Sequence, residues 1–191
     1  MNQVRQSALE AAKTPVKTYL SKQHNLQSDE HYKIVQIKDG TTVKQAQFFE
    51  KYGDKGHTLT YFMGNENIPT FVKEALIEPL TKTPEIAALG SRLNWKLTVN
   101  NYSQNSKERA GFPWHMDIPS NGDITAIITL ISQGTLEVSA EKKPEVADAT
   151  FHLIPGSMFL LSGEARWKCL HRVVPQKGAS RLSLVLGCAP T

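Results

Sequence analysis

The chain has few cysteines and no long apolar segment, and each of these features excludes a class of protein. Cys169 and Cys188 are the only cysteines in 191 residues, too few for a disulfide framework or a zinc knuckle. The longest apolar segment, from Ile124 to Ile131, is interrupted by threonines and is much shorter than the roughly 20 residues of a membrane-spanning helix. The first residues lack the apolar core and cleavage site of a secretory signal. We therefore expect a cytoplasmic protein without a membrane partner.

A strong charge of either sign is also missing. Lys and Arg number 22 and Asp and Glu number 18, which gives a net charge of +4. This mild basicity permits a nucleic-acid partner without requiring one. The hydrophobic fraction of 40% is enough for a sizeable core. We expect residues 1–191 to form a single domain, whose oligomeric state the sequence does not indicate.

Before residue 90 the pattern is mixed. Apolar residues at spacings of three and four predict a helix from Ile68 to Leu80, with Pro69 near its first position. The other elements predicted here are a short helix from Gln3 to Leu20, a strand at Lys33–Ile37, a helix at Thr42–Tyr52 and a strand at His57–Met63.

After residue 90 short strands follow one another, separated by Gly, Pro, Asn and Ser. The predicted strands are Leu93–Asn100, Ile124–Leu130, Thr135–Ser139, Thr150–Ile154, Ser157–Leu161, Trp167–Val174 and Arg181–Leu186. The expected fold class is α+β, mainly β: a jelly roll with N-terminal helices packed on one outer face. Residues 91–191 would form its core, and residues 1–90 could supply a substrate lid.

A candidate metal site begins with His115 and Asp117. On extended backbone, side chains two residues apart point to the same side, so this pair can reach one ion. His171, on the predicted strand before Pro175, adds a second imidazole. Two imidazoles and one carboxylate form the triad that binds Fe(II) and leaves three coordination positions open.

Three open positions suit a bidentate 2-oxo acid together with dioxygen, and the distal carboxylate of such a co-substrate needs a buried partner. Arg181 is the candidate, because a planar guanidinium binds a carboxylate through two parallel hydrogen bonds. Ser183 lies on the same side of the predicted strand, so its hydroxyl could support the same anion.

An ordered set of motifs runs from about Leu93 to Gly187. In chain order its members are Asn100-Asn101-Tyr102, Trp114-His115-Met116-Asp117, Pro155-Gly156-Ser157, Leu160-Leu161-Ser162-Gly163-Glu164-Ala165-Arg166, His171 and Arg181-Leu182-Ser183. Together they resemble the AlkB-like Fe(II)/2-oxoglutarate-dependent dioxygenases.

The resemblance implies a double-stranded β-helix whose catalytic centre is an Fe(II) ion. The ligands that it implies are His115, Asp117 and His171. It also implies that Arg181 pairs with the distal carboxylate of 2-oxoglutarate, and that Asn100 and Tyr102 hydrogen-bond this co-substrate from the neighbouring strand. Members of the family use dioxygen to convert 2-oxoglutarate to succinate and to hydroxylate a C–H bond. A hydroxylated N-methyl group is lost as formaldehyde, so oxidation becomes demethylation.

Two positions depart from the nucleic-acid repair members, which usually carry Asn two residues after the arginine and a second Arg six residues after it. Here these positions are Ser183 and Gly187. The departures concern contacts around the co-substrate and substrate, and they leave the iron ligands and Arg181 intact. Alkylated nucleic acid is the first substrate prediction, and a protein or small molecule is the alternative.

Two other functions remain open. A cupin-like metal protein would share the architecture but would have no obvious need for Arg181. A non-catalytic binding module could keep the metal site for stability alone.

A cluster of basic residues could follow the phosphates of a nucleic acid, although a solvated basic face is the commoner meaning of such a cluster. Its members are Arg166, Lys168, Arg172 and Lys177.

Overall fold

A computed structural model describes residues 65–102, 111–142 and 144–191, together with four earlier strands. The strands, in chain order, are β1 Lys17–Tyr19, β2 Glu30–Gln36, β3 Thr42–Phe48, β4 His57–Phe62, β5 Leu93–Tyr102, β6 Phe112–His115, β7 Ile124–Ile131, β8 Gly134–Ser139, β9 Ala149–Leu153, β10 Met158–Leu161, β11 Leu170–Pro175 and β12 Arg181–Pro190.

The described strands form two antiparallel sheets. The larger has the order β1-β2-β3-β4-β5-β12-β7-β10, and the smaller has the order β6-β11-β8-β9. At the centre of the larger sheet, β12 pairs with β5 on one side and with β7 on the other. Because β12 lies between β5 and β7, and β11 lies between β6 and β8, strands distant in sequence are neighbours in both sheets. This arrangement is typical of a jelly roll and confirms the predicted fold class.

Short helical segments cover the outer face of the larger sheet. They are Thr70–Val72, a π-helical turn at Lys73–Ile77, Glu78–Leu80 and a separate turn of helix at Pro84–Ala87. Their apolar side chains share one buried cluster with alternate residues of β5, β7 and β12. Among its most buried members are Ile68, Ile86, Leu97, Leu130, Leu182, Leu184 and Leu186. The core is therefore built partly outside the sandwich, between helices and sheet.

The inner face of the larger sheet is unusually polar for a buried surface. Because side chains alternate along a strand, the residues between the apolar ones point toward the smaller sheet. The buried polar residues at these positions are Thr98, Asn100, Thr125, Thr129, Arg181 and Ser183. Buried polar groups are costly unless they are hydrogen-bonded. Their concentration between the sheets therefore marks this space as the place to look for a site.

Each of the seven strands predicted after residue 90 has a counterpart in the structure, with ends shifted by up to four residues. The strand predicted to start at Trp167 starts at Leu170 in the structure, because Gly163–Trp167 is a short helix. The prediction missed β6.

The helix predicted at Thr42–Tyr52 is wrong where the structure describes it, since Thr42–Phe48 is a strand that pairs with β2 and β4. The helix predicted at Gln3–Leu20 lies outside the described residues except for β1, which is a strand. The helix predicted from Ile68 is confirmed from Thr70 to Leu80. Within the described part of the chain, no helix has the length and apolar character needed to cross a bilayer.

Candidate metal centre and co-substrate pocket

His115 reaches the inner face of the sandwich because β6 carries a bulge. In the pairing of β6 with β11, His171 lies opposite His115 and Val173 lies opposite Phe112, so β6 has one extra residue between these positions. The extra residue places Phe112 and His115 on the same face although they are three residues apart. Their rings pack edge to face, with 4.0 Å between the ring centroids. The segment contains Pro113, which has no N–H to contribute to the ladder.

Asp117 follows β6 on a loop that a buried arginine fixes in place. Arg166, on the short helix Gly163–Trp167, is only 1% exposed. Its guanidinium donates hydrogen bonds to three backbone carbonyl oxygens, those of Asp117, Ile118 and Gly122, at 3.0, 2.9 and 3.1 Å. The loop that carries the carboxylate is therefore held at both ends by one side chain.

His171 brings the second imidazole to the same place from β11. The rings of His115 and His171 are 4.2 Å apart between centroids. Oδ1 of Asp117 lies 3.8 Å from Nε2 of His115, and Oδ2 of Asp117 lies 4.0 Å from Nε2 of His171. One candidate ligand atom from each residue lies within 4.8 Å of the others. The structure thus brings together the three residues predicted to bind the metal.

The charge state of the three side chains suits a cation. Burial opposes ionisation of Asp117, but a hydrogen bond with His115 and the electrostatic interactions with His171, His115 and Arg166 outweigh it and lower its pKa to about 2. Burial, together with the nearby His115, lowers the pKa of His171 to about 3. At neutral pH the cluster therefore offers an ionised carboxylate and a neutral imidazole, which are the forms that bind metals.

Two polar atoms of this cluster are buried without a hydrogen-bond partner, Oδ2 of Asp117 and Nδ1 of His171. An unsatisfied carboxylate oxygen inside a protein costs free energy, and a bound cation would remove that cost. The donor set of two imidazoles and one carboxylate fits Fe(II), and the same donors also bind Mn(II), Co(II), Ni(II) and Zn(II).

Arg181 is the second unusual group of the inner face. Its side chain is 1% exposed, and its guanidinium donates to the hydroxyls of Ser183 at 2.8 Å and Thr129 at 3.1 Å. Its Nε is buried without a partner. Within the described residues no carboxylate pairs with this guanidinium, and burial lowers its pKa. A buried cation that contacts only neutral oxygens is short of an anion.

Asn100 and Tyr102, which the resemblance assigns to co-substrate binding, lie beside Arg181. Tyr102 pairs across the strands with Arg181, and Asn100 pairs with Ser183. The guanidinium carbon of Arg181 is 5.4 Å from the ring centre of Tyr102. The four residues predicted to bind the co-substrate therefore form one continuous patch of β5 and β12, and their roles stay predictions.

Sequence reasoning missed Thr129 and Asn121. Thr129 accepts a hydrogen bond from Arg181, and Asn121 donates one from Nδ2 to Oδ1 of Asp117 at 3.2 Å. The contact of Thr129 joins residues 52 apart in the chain, whereas that of Asn121 joins residues four apart on one loop. A periodic polar residue on the apolar strand 124–131 was the one available signal for Thr129.

Of the four basic residues considered for contact with phosphates, Arg166 does not lie on the surface, and the role of the others stays a prediction. Arg166 is buried against backbone carbonyl groups. Lys168 pairs with Glu164, and Arg172 pairs with Glu137 and lies over the ring of Trp114. Arg166 is therefore occupied inside the chain, whereas Lys168 and Arg172 each form an ion pair with an acidic side chain.

No protein-family profile matches this sequence, and no curated protein matches it. Solved structures with a similar chain path include YcfD, a ribosomal oxygenase from Escherichia coli, at 16% identity and a TM-score of 0.48, with 86% of this chain and 41% of that chain covered. A prolyl-4-hydroxylase from Pseudomonas putida matches at 15% identity and a TM-score of 0.48, with 74% and 76% covered.

A cupin superfamily protein from Desulfitobacterium hafniense matches at 9% identity and a TM-score of 0.35, with 52% of this chain and 70% of that chain covered. Similarities this distant say nothing about activity. The class of this chain, a mainly β jelly roll, follows from its own strand order and pairing.

Proposed function

We propose that the chain is an Fe(II)- and 2-oxoglutarate-dependent dioxygenase of AlkB-like type that hydroxylates a C–H bond or removes an N-methyl group. The observation that carries the proposal is Arg181, a buried guanidinium that has no anionic partner among the described residues and lies on the polar inner face of the larger sheet. A metal protein that does not use a 2-oxo acid has no need for this group, so Arg181 favours the dioxygenase over the cupin-like alternative.

In this proposal His115, Asp117 and His171 hold Fe(II), which supplies the activation of dioxygen. The triad leaves positions open for a bidentate 2-oxo acid and for dioxygen. The neutral imidazole of His171 and the ionised carboxylate of Asp117 require no proton loss at neutral pH before the metal binds.

Arg181 would bind the distal carboxylate of 2-oxoglutarate, with Ser183 and Thr129 holding the guanidinium in place. The fold also brings Arg181 close to the strand that carries His171. Gly134 lies opposite Pro175 on the smaller sheet, and a Cβ on Gly134 would sit 3.3 Å from Nε of Arg181. Pro175 is four residues beyond His171, which is about 13 Å of extended strand. Arg181 therefore lies beside the strand that carries His171, displaced along it from the candidate metal position.

Alkylated nucleic acid remains the first substrate prediction, and it derives from the resemblance. A protein or small-molecule substrate is the alternative, and it needs no free basic face. Screening should therefore include methylated oligonucleotides, peptides and small N-methyl compounds together.

The test is succinate formation by the anaerobically iron-loaded protein with 2-oxoglutarate and ascorbate when air is admitted. We expect slow turnover without a primary substrate, no turnover in Asp117→Ala, and little in Arg181→Met at 2-oxoglutarate concentrations that saturate the wild type. Binding of 2-oxoglutarate is measured separately by calorimetry under nitrogen.

Each outcome decides between the alternatives. If 2-oxoglutarate binds equally well to the wild type and to Arg181→Met, Arg181 does not serve the co-substrate and the cupin-like reading replaces the dioxygenase. If 2-oxoglutarate binds but neither it nor any screened substrate is oxidised, the non-catalytic module is the better description.

A further inference from the structure

We propose that Asn121 and Lys96 form a positioning pair that sets the carboxylate of Asp117 so that Oδ2 alone is presented to the metal. This inference rests on the metal site of the proposed function. Neither residue contacts the candidate metal position in the structure, so both would act through Asp117.

The pair forms a directed chain of hydrogen bonds. The ammonium group of Lys96 donates to Oδ1 of Asn121 at 2.9 Å, and Nδ2 of Asn121 donates to Oδ1 of Asp117 at 3.2 Å. An ammonium group has donors only, so the amide oxygen of Asn121 must face it. The amide nitrogen must then face the carboxylate. Lys96 therefore fixes which way the amide of Asn121 points.

This arrangement treats the two oxygens of Asp117 differently. Oδ1 accepts the hydrogen bond from Asn121. Oδ2 is buried without a hydrogen-bond partner and lies 4.0 Å from Nε2 of His171. A carboxylate with one oxygen already hydrogen-bonded is set for binding through the other oxygen.

The backbone of Asn121 packs directly against β12 at Gly187. A Cβ at Gly187 would lie 2.0 Å from the carbonyl oxygen of Asn121, so no side chain fits between them. The amide of Asp123 also donates to the carbonyl oxygen of Cys188 at 2.7 Å. Lys96 pairs with Gly187 across β5 and β12, which places its side chain next to the space that the glycine leaves open.

Loss of such partners of a metal ligand typically lowers metal affinity by 10- to 100-fold. Without Asn121, the carboxylate of Asp117 could rotate or bind through both oxygens. We expect the affinity to fall and the coordination of the bound ion to change.

The experiment titrates the metal-free protein with Co(II) under nitrogen and follows its visible absorption, which reports both affinity and coordination geometry. The variants are Asn121→Leu, Lys96→Met, Lys96→Arg and the double variant Asn121→Leu with Lys96→Met. Ser120→Ala is the matched control, because its hydroxyl lies on the same turn and accepts a hydrogen bond from the same ammonium group of Lys96, at 3.3 Å, but is not a link in the chain from Lys96 to Asp117. Thermal unfolding of each metal-free variant checks that it is folded.

We expect roughly a 10- to 100-fold weaker affinity and an altered Co(II) spectrum for Asn121→Leu. Lys96→Met should show a smaller loss, Lys96→Arg should restore wild-type behaviour, and the double variant should lose no more than Asn121→Leu. Ser120→Ala should match the wild type.

Failure of the two proposals can be told apart. If the wild type binds no Co(II), the metal site itself is wrong. If the wild type binds Co(II) and the folded Asn121→Leu variant binds it with the same affinity and spectrum, the positioning pair is wrong while the metal site stands. Additive losses in the double variant would show that Lys96 does not act through Asn121.

Discussion

The guanidinium of Arg166 donates a hydrogen bond to the backbone carbonyl oxygen of Asp117, 49 residues earlier in the chain, at 3.0 Å. The same guanidinium lies 4.3 Å from the centre of the Trp167 ring. A basic residue that composition alone would place on the surface thus ties the short helix before β11 to the loop of the candidate metal centre.

Replacing Arg166 with methionine should destabilise the protein strongly. The change removes three hydrogen bonds from a charged group and leaves buried carbonyl oxygens unsatisfied, which should cost about 3 kcal/mol of unfolding free energy. Urea unfolding of the metal-free protein measures this. Lys168→Met, on the same helix but at the surface, should change stability by less than about 0.5 kcal/mol. Equal effects of the two substitutions would contradict the structural role of Arg166.

Thr129 and Thr125 give a matched pair on the inner face of β7. Thr129→Val removes the acceptor of one guanidinium N–H of Arg181, so the affinity for 2-oxoglutarate should fall by about tenfold, in line with the loss of one hydrogen bond to a charged group. Thr125 is equally buried, but its hydroxyl has no hydrogen-bond partner.

Thr125→Val should therefore leave 2-oxoglutarate binding unchanged and be neutral or stabilising, because it removes an unsatisfied hydroxyl. Calorimetry under nitrogen measures the binding, and urea unfolding measures the stability. The same loss of affinity in both variants would mean that Thr129 acts through packing and not through Arg181.

Gly187→Ala should weaken both the fold and the metal site. The added Cβ would clash with the carbonyl oxygen of Asn121 and force backbone movement, at a cost of about 2 kcal/mol. Gly156→Ala is the comparison, since its φ of +87° makes alanine strained although nothing lies within 4 Å of the new Cβ. It should cost roughly 1 kcal/mol from backbone strain alone.

Only Gly187→Ala should lower the affinity for Co(II), because only this glycine seats the turn that carries Asn121. A Co(II) affinity for Gly187→Ala equal to that of the wild type would show that the turn can shift without disturbing Asp117.

The metal-free protein should lose stability as the pH falls below 6.5. His171 has a pKa of about 3 in the fold, against 6.5 when unfolded. Between these values the unfolded chain binds a proton that the folded chain does not, so unfolding becomes easier as the pH falls. The loss should reach about 2 kcal/mol at pH 5.

Asp117 adds a second loss at lower pH, as the pH falls through 3.8 toward its folded pKa of about 2. Urea unfolding from pH 7.5 to 4.5 isolates the contribution of His171. The control is His171→Gln, whose stability should vary less over this range. Parallel pH profiles for the wild type and the variant would exclude His171 as the source.

The sequence predicted the strands after residue 90 well because their signals are local. Alternation and turn residues mark strands such as Arg181–Leu186 without help from the rest of the fold. The helix prediction at Thr42–Tyr52 failed because pairing with two neighbouring strands overrides a weak local helical preference.

The candidate site was predicted in part for the same reason. His115, Asp117, His171 and Arg181 carry chemical identities and spacings that can be read along the chain. Arg166, by contrast, looks like one more surface charge until the fold buries it against carbonyl groups 44 to 49 residues away. Long-range contacts of this kind have no sequence period to reveal them.

The bulge of β6 makes the backbone path of this segment as important as its composition. In a regular strand of the same length, Phe112 and His115 are three residues apart and would lie on opposite faces. The imidazole of His115 would then project from the outer side of the smaller sheet. A change that straightened β6 would silence the centre while every ligand stayed in the sequence, and a comparison of ligand identities alone would score that variant as intact.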